Sequence, residues 1–329
     1  MAVVSEDSAS TRVTLPRSSS PRPGRPRASR DRGRQQAPWT PWLFMAPYLA
    51  LFSAFVLLPV VLGGWMSLHR WDYTLPNKPF VGLENYRQLF DPSTSSFEVF
   101  WNAMGATGIF TAASVPLLLV LPLMVALLMR RSFPGRDLMR AIYFAPYVLG
   151  VAVIAVLWRY LLDNNIGVVN QTLGALGLPD SIAWTTSVPA AWVTLVGVTV
   201  WWTLGFNAVI YLAALQDIPG ELYEAARVDG ASPWQQFLNV TLPGLRPIFA
   251  FIVVITLIAS ANMFGQSYLM TQGGPGRETR TAIYQITETG LRGFRMGEAS
   301  AMSYVLTAVL LLASAVVFAL LREKKGAGR

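Results

Sequence analysis

The residues best suited to contact a small molecule lie in two apolar segments, one on each side of a long charged loop. They carry amide, hydroxyl or aromatic groups: Trp201, Phe206, Asn207, Ser260, Asn262 and Gln266. Amides and hydroxyls form hydrogen bonds with hydroxyl groups, and an aromatic ring covers the apolar face of a sugar ring. The set therefore suits a neutral polyol, although hydrogen bonds and ring packing between helices would use the same residue types equally well.

The residue types on which most enzymes depend are nearly missing from this chain. It has no cysteine and a single histidine, His69, which excludes thiolate metal sites, cysteine nucleophiles and imidazole clusters. None of its three lysines, Lys78, Lys324 and Lys325, follows a glycine, so the Gly-Lys-Ser/Thr loop that binds nucleotide phosphates is absent. We therefore expect a chain that is not an enzyme and holds no cofactor or metal of its own.

The elements that must position the polar residues are membrane-spanning helices. The chain is 53% hydrophobic and 13% charged, with a mean hydropathy of +0.42, well below the roughly 25% charged content of soluble domains. Charged residues are confined to the ends of the apolar segments, which disfavours an ion-coupled carrier or a membrane-embedded enzyme. Six segments reach the required length of about 20 residues and predict an all-α membrane protein: about 42–68, 102–129, 140–162, 188–214, 246–268 and 299–321.

The basic residues predict the orientation of these helices. Residues 1–39 are rich in Ser, Pro and Arg and are expected to form a disordered, basic cytoplasmic tail before a transmembrane domain of residues 40–329. Of the 26 Lys and Arg residues, 18 fall on the side of the two termini and 8 on the other side, so both termini should be cytoplasmic. They form no basic patch within a folded region, so nucleic acid is not an expected partner.

A polar loop of about 215–247 joins the fourth and fifth segments. Pro219 is expected in the first turn of a short helix, where the carboxylate of Glu224 also complements the helix dipole. Gly230 permits the left-handed turn that ends this helix, and Ser232 is placed to cap a second one. A helix–turn–helix with acidic and aromatic side chains is suited to docking into a groove of a partner protein.

The same loop resembles the EAA loop of binding-protein-dependent ABC importer permeases. The residues that match are Glu224, Ala225, Ala226, Asp229, Gly230, Ala231, Phe237, Leu242, Pro243 and Pro247. Residues 80–86, 272–276 and 297–303 are similar to the sugar-importer branch of that family, which includes the maltose-type permeases. The resemblance covers nearly everything after residue 41. Its main departure is Asn102-Ala103, where relatives often have Asn-Thr.

The resemblance implies the type I ABC importer permease fold in a bacterial or archaeal cell (inner) membrane. It also implies a second homologous permease, two cytoplasmic ATPase subunits that bind ATP and Mg²⁺, and an extracytoplasmic solute-binding protein. In that family the loop seats in a cleft of the ATPase. The residues implied in coupling are Glu224, Ala225, Ala226, Asp229, Gly230, Phe237, Leu242 and Pro243, with Glu224 as the acidic contact and Gly230 shaping the turn.

The resemblance also implies where the solute lies, near mid-membrane between the spans that flank the loop, where the six polar and aromatic residues fall. The expected solute is a di- or oligosaccharide or a similar neutral polyol. An amino acid, a polyamine or glycerol phosphate is the alternative, which a charged residue along the path would favour.

Overall fold

The computed structural model describes residues 39–130 and 133–321. The predicted N-terminal tail, apart from Trp39, and the C-terminal residues 322–329 lie outside the described residues. The described part is helical, with π-helical turns and one isolated bridge between His69 and Phe80. The helices are α1 (Thr40–Phe52), α2 (Leu58–Ser67), α3 (Glu84–Phe90), α4 (Ser95–Arg130), α5 (Arg136–Val148), α6 (Val151–Leu161), α7 (Val168–Ala175), α8 (Ala190–Gln216), α9 (Gly220–Val228), α10 (Pro233–Gln236), α11 (Leu242–Ala261), α12 (Ala282–Thr287) and α13 (Met296–Leu321).

The chain divides into two units, the first of which ends at Ser53; of this unit the structure describes Trp39 and α1 up to its end. Within α1 the rings of Tyr48 and Phe52 stack with their centroids 6.0 Å apart. Every contact and cavity discussed below belongs to the second unit, which begins at Ala54.

The described residues contain five helical runs long and apolar enough to cross a membrane, or six if one bent helix pair is counted as a single span. These findings confirm the predicted all-α membrane fold. The five runs are Trp42–Ser67, Ser95–Arg130, Ala190–Gln216, Pro233–Ala261 and Met296–Leu320, and the bent pair is Arg136–Val148 with Val151–Leu161.

The third apolar segment, predicted as one helix over 140–162, is two helices that meet at an angle of 99°. Leu149 and Gly150, between α5 and α6, adopt extended backbone with ψ of 137° and 151°. A helix cannot continue through residues in this conformation. Pro146 lies near the end of α5. Proline has no N–H to donate to the hydrogen bonds of a helix, so it is often found where a helix ends. The third segment is therefore a pair of helices with a sharp bend rather than one continuous helix.

The fifth span is shifted towards the N-terminus relative to the predicted segment 246–268. Helix α10, a π-helical turn at Phe237–Thr241 and α11 follow one another without a break, so the run begins at Pro233. It ends at Ala261, because Asn262 leaves the helical conformation with φ −91° and ψ 15°. Asn262 and Gln266 therefore lie beyond the end of α11 rather than inside a helix.

Helix α4 connects three clusters of buried apolar side chains. Its 36 residues span roughly 54 Å at 1.5 Å per residue. The first cluster includes Phe100, the second includes Phe110 and Leu118, and the third includes Ala126 and Met129. The third cluster also holds residues of α8 and α11, between which the long polar loop runs. We call the C-terminal end of α4 the loop end of the bundle and its N-terminal end the far end.

Helices α5 and α8 approach each other closely at Gly205. A Cβ atom at this position would lie 2.7 Å from the Cα atom of Phe144, closer than side chains pack against backbone. Near the same contact, Trp202 Nε1 donates a hydrogen bond of 3.0 Å to the carbonyl oxygen of Leu149. This contact places the bend of the third segment beside the middle of α8.

Candidate functional site

The first helix of the long loop, α9, ends in a left-handed turn at Gly230, as predicted. The φ angle of Gly230 is +76°. Its N–H donates to the carbonyl oxygen of Arg227 at 3.1 Å, and the N–H of Ala231 donates to that of Ala226 at 2.9 Å. These two bonds form a Schellman motif, in which the left-handed residue is usually glycine because it has no Cβ.

The second short helix, α10, begins with the predicted cap. The backbone N–H of Gln235 donates to Ser232 Oγ at 3.3 Å, and that of Ser232 donates to Gln235 Oε1 at 2.7 Å. Pro233 follows in the first turn. Phe237, one of the residues implied in coupling, is half-buried, and its ring stacks on that of Trp234 with the centroids 5.4 Å apart. The exposed aromatic residue is Trp234, 66% accessible, which the sequence reading did not single out.

The acidic side chains of the loop face outward. Glu224 and Asp229 are exposed, and Glu224 Oε1 lies 3.9 Å from Arg227 Nη2 in an exposed ion pair of little energetic weight. Pro219 is the N-cap of α9, one position before the first turn in which it was expected. The eight predicted coupling residues lie on α9, on the turn after it, on the π-helical turn and on the start of α11: Glu224, Ala225, Ala226, Asp229, Gly230, Phe237, Leu242 and Pro243.

One residue attaches the inner side of α9 to the rest of the bundle. The Tyr223 hydroxyl shares a hydrogen bond of 2.9 Å with Thr241 Oγ1, at the end of the π-helical turn. The guanidinium of Arg130, at the end of α4, lies 4.2 Å from the centre of the Tyr223 ring, within cation–π distance. Tyr223 thus connects α9 to the end of α4 and to the π-helical turn that precedes α11.

A cavity of about 550 Å³ lies among α4, α5, α8, α11 and the residues after α11. We call it the membrane cavity. It lies beside the middle cluster of the bundle, whose Phe110 and Leu118 contribute to its wall. Five of the six residues predicted along the solute path line it: Phe206, Asn207, Ser260, Asn262 and Gln266.

The sixth predicted residue, Trp201, does not line the membrane cavity. It is 40% accessible and packs edge-to-face against Trp158, with the ring centroids 5.4 Å apart. Phe206 lies five positions after Trp201, which rotates its side chain by roughly 140° relative to that of Trp201 around a helix of 3.6 residues per turn. The two aromatic residues therefore occupy different faces of α8, and the assignment of Trp201 to the solute path stays a prediction that this cavity does not support.

The amides of the membrane cavity are held in place by hydrogen bonds within the protein. The amide nitrogen of buried Asn207 donates to the carbonyl oxygen of Leu118 at 3.2 Å. That of Gln266 donates to Thr199 Oγ1 at 3.3 Å, and that of Asn262 to a carbonyl one turn earlier in α11 at 2.8 Å. These bonds orient the amides in the wall, where their oxygens are acceptors for a hydroxyl-bearing ligand.

Further residues of the cavity wall were missed in the sequence. The Tyr147 ring stacks on Phe206 with a centroid distance of 4.6 Å and an interplanar angle of 16°. Thr199, Trp202 and Thr203 line the same cavity from α8. The spacing of four residues between Thr199 and Thr203, and between Trp202 and Phe206, was a readable signal of a shared helix face. Tyr147 had no such signal because the bend between α5 and α6 brings it there.

The described residues that line the membrane cavity carry no charged side chain. A charged solute would lose hydration there without gaining a counter-ion from this chain, which is unfavourable by several kcal/mol, of order 3 or more. Hydroxyl groups, in contrast, find amide and hydroxyl partners. Within residues 39–130 and 133–321 no group of three or more His, Asp or Glu side chains is arranged to hold a metal ion.

These features define a helical, multi-pass membrane protein with a cavity of about 550 Å³ among its helices and an exposed helix–turn–helix at one end of its bundle. The model of the family described as "Binding-protein-dependent transport system inner membrane component" matches residues 107–322. The chain belongs to this family, that of the membrane-spanning permease subunits of ABC importers.

Relatives of this chain include permeases for different solutes. It is 34% identical over 278 residues to the trehalose/maltose transport system permease protein MalF of Thermococcus litoralis, with 84% of this chain and 91% of that protein covered. It is 32% identical over 287 residues to the sn-glycerol-3-phosphate transport system permease protein UgpA of Yersinia pestis, with 87% and 95% covered. Its fold is also that of a permease chain in the crystal structure of a bacterial alginate ABC transporter bound to its periplasmic protein, at a TM-score of 0.74, 24% identity and coverage of 88% and 96%.

Proposed function

We propose that this permease translocates a neutral sugar, a di- or oligosaccharide or a similar polyol, through the membrane cavity. The observation that carries the proposal is the wall of that cavity, which combines amides, hydroxyls and the stacked rings of Tyr147 and Phe206 without a charge. Amides and hydroxyls bind sugar hydroxyls, and stacked rings bind the apolar face of the sugar. The similarity to a trehalose/maltose permease supports the same class of solute.

Glycerol phosphate is the second candidate, because a relative of similar identity is named for it. A phosphate group carries between one and two negative charges near neutral pH and needs positive partners to leave water. The described wall of the membrane cavity holds none. A second permease in the same complex would have to provide them, which makes glycerol phosphate the weaker candidate.

The proposal includes the partners that a chain of this family needs for active uptake. An extracytoplasmic binding protein delivers the sugar, and a second homologous permease completes the path. Two ATPase subunits bind ATP and Mg²⁺ and hydrolyse ATP, while this chain acts without catalysis and without a cofactor of its own. The exposed loop from Glu224 to Pro243 docks on the ATPase, since it presents acidic and aromatic side chains at the end of the bundle.

The proposed orientation places both termini and the loop end in the cytoplasm of a bacterial or archaeal cell. The excess of basic residues on that side motivates it. Single cysteines at Thr172 and Ser232 test it, because the chain has no native cysteine and both residues are exposed. An impermeant thiol reagent added to intact cells or spheroplasts should label Thr172→Cys alone, and labelling of Ser232→Cys from outside would reverse the assignment.

Uptake measurements decide the substrate class. Cells that lack this chain should lose ATP-dependent uptake of one of a panel of radiolabelled neutral di- and oligosaccharides, maltose and trehalose first, and regain it with the parent gene. Uptake of sn-glycerol 3-phosphate serves as the matched test of the second candidate. Loss and recovery of glycerol phosphate uptake, with sugar uptake unchanged, would show that the neutral wall of this chain does not set the substrate.

A further inference from the structure

A second cavity, of about 410 Å³, lies at the far end of the bundle. Its walls come from the N-terminal third of α4, the loop of residues 272–281 and α12. We call it the outer cavity, because the proposed orientation places it on the extracytoplasmic side. Unlike the membrane cavity it carries charges, from Glu98, Arg277, Glu278 and Arg280. Their formal charges cancel, with two carboxylates and two guanidinium groups.

Two buried polar atoms on residues of this wall lack a hydrogen-bond partner among the described residues. One is an acceptor, Oε1 of Gln285, whose side chain is 6% accessible and whose amide nitrogen is already bonded to Thr289 Oγ1 at 2.9 Å. The other is a donor, Nε of Arg280. Buried polar groups are nearly always paired, so an unpaired donor and acceptor around one cavity indicate a ligand that both donates and accepts.

The loop that forms one wall is held rigidly by buried hydroxyl groups. Thr279 and Thr281 are completely buried. Thr279 Oγ1 bonds to Thr271 Oγ1 at 2.7 Å, and Thr281 Oγ1 donates to the carbonyl oxygen of Met263 at 2.7 Å. The Ala282 N–H donates to Thr107 Oγ1 of α4 at 2.8 Å, which joins the two walls directly. Polar groups on such a fixed frame bind a ligand with little loss of conformational entropy.

The tip of the same loop contains residues in a left-handed backbone conformation, which residues other than glycine rarely adopt. Gln272 and Arg277 have φ angles of +54° and +113°, and Gly273 and Gly276 are also left-handed. Non-glycine residues in this region raise the energy by about 1–3 kcal/mol each and persist at sites where surrounding structure enforces them. The enforced conformation at Arg277 places a strained residue on the cavity wall.

We propose that the outer cavity is a second binding site for a neutral polyhydroxylated ligand, one or two sugar units in size. A sugar hydroxyl accepts from Arg280 and donates to Gln285, while the exposed amide of Asn102 and the carboxylate of Glu98 serve neighbouring hydroxyls. Trp101, which also lines the cavity, supplies an aromatic surface. The ligand class rests on the proposed function, whose substrate has the same chemistry.

A series of ring contacts connects Arg280 of the outer cavity to Phe264 of the membrane cavity. Phe264 lines the membrane cavity and stacks on Tyr268 at 5.0 Å. Tyr284 lies edge-on to Tyr268 at 5.2 Å and carries the guanidinium of Arg280 at 5.2 Å from its ring centre. Tyr284 also lies edge-on to Phe264 at 6.0 Å, so one aromatic ring separates Arg280 from a residue of the membrane cavity wall. The outer cavity is placed to hold a sugar before it enters.

Cysteine protection in the intact complex tests this site. Val99→Cys places a thiol on the wall of the outer cavity, and Ser95→Cys places one on the same helix one turn earlier, outside the wall. Both variants are labelled from outside with a maleimide, in the absence of the binding protein. Labelling is measured at increasing concentrations of maltose or trehalose, up to about 100 mM, so that weak binding is also detected. Sugar at ten times its Kd should slow labelling of Val99→Cys about tenfold and leave Ser95→Cys unchanged.

Two further variants show whether the polar wall is responsible. Gln285→Leu and, separately, Asn102→Leu should raise the sugar concentration for half-protection of Val99→Cys about 5- to 150-fold. Lack of protection by either sugar, in a complex that assembles, overturns the site and leaves ordered water as the partner of the buried atoms. Protection by sn-glycerol 3-phosphate alone also overturns it, in favour of an anion site. Uptake measured on the same cells reports the proposed function separately.

Discussion

The long polar loop and the membrane cavity are built by opposite means. The loop is shaped by hydrogen bonds between near neighbours, such as Ala231 to Ala226 and Ser232 to Gln235. The cavity depends on contacts between distant parts of the chain: Asn207 bonds across 89 residues to α4. Substitutions in the loop should therefore alter coupling and spare the fold, whereas substitutions in the cavity act on both solute binding and packing.

The largest effect is expected from Glu224→Ala. Its carboxylate is exposed in this chain and becomes buried in the proposed ATPase interface, where loss of one member of a hydrogen-bonded charge pair costs about 2–5 kcal/mol. The variant should reach the membrane. Solute uptake, and the solute-stimulated ATPase activity of the purified complex, should each fall about 30-fold or more.

Glu221→Ala is the matched control for Glu224→Ala. It removes the same charge from the same exposed helix, in its first turn, outside the residues implied in coupling. Its effect should be limited to the loss of a favourable helix-dipole interaction, about 0.3–1 kcal/mol. Equal transport by both variants, with equal ATPase stoichiometry, would refute the coupling role of Glu224.

The second prediction tests the long-range packing behind the cavity. Gly205→Ala places a methyl group against the backbone of α5 at Phe144 and should lower the free energy of unfolding by about 1–3 kcal/mol through overpacking. Gly197→Ala is the control on the same helix. A Cβ added at Gly197 would have no neighbour within 4 Å, so this substitution should be neutral or stabilising. Thermal stability of the detergent-purified complex is the measurement, and a stable Gly205→Ala would mean that α5 and α8 are farther apart than described.

The third prediction concerns Asn207→Leu. The substitution removes a buried amide from the wall of the membrane cavity and replaces it with an apolar side chain of nearly the same size. A lost hydrogen bond to a sugar hydroxyl costs about 1–3 kcal/mol, or roughly 5- to 150-fold in half-saturating sugar concentration. The complex should still assemble. Unchanged uptake kinetics for Asn207→Leu would reduce its amide to a structural link between α8 and α4.

The difference between the two regions also explains what the sequence could predict. Gly230 and Ser232 shape the loop through neighbours only a few residues away, so their roles were readable from spacing. The cavity required knowledge of helix rotation, which separates Trp201 from Phe206, and of the bend that brings Tyr147 to the wall. Five of the six apolar segments are single helical runs in the described residues, because length and hydrophobicity decide them, whereas the third is a helix pair bent by 99°.

The stacked pair of Tyr147 and Phe206 gives the smallest expected effect and the sharpest test of helix rotation. Phe206→Leu keeps an apolar side chain on the cavity wall but removes the ring that would cover a sugar face. Aromatic pairs contribute about 0.5–1.5 kcal/mol beyond buried area, so half-saturating sugar concentration should rise about 2- to 13-fold. Assembly should persist, because Phe206 is 36% accessible and is not a core residue.

Trp201→Leu is the control that decides between the two faces of α8. Trp201 packs on Trp158 outside the cavity wall, so its replacement should leave the half-saturating sugar concentration unchanged, even if the loss of ring packing lowers the amount of assembled complex. Rates are therefore normalised to the assembled complex, measured by subunit stoichiometry. If Trp201→Leu weakens sugar affinity as much as Phe206→Leu does, the face of α8 that contacts the solute is not the face that lines the membrane cavity. The membrane cavity would then not be the solute path, and the comparison of the loop with a binding site formed by distant parts of the chain would no longer hold.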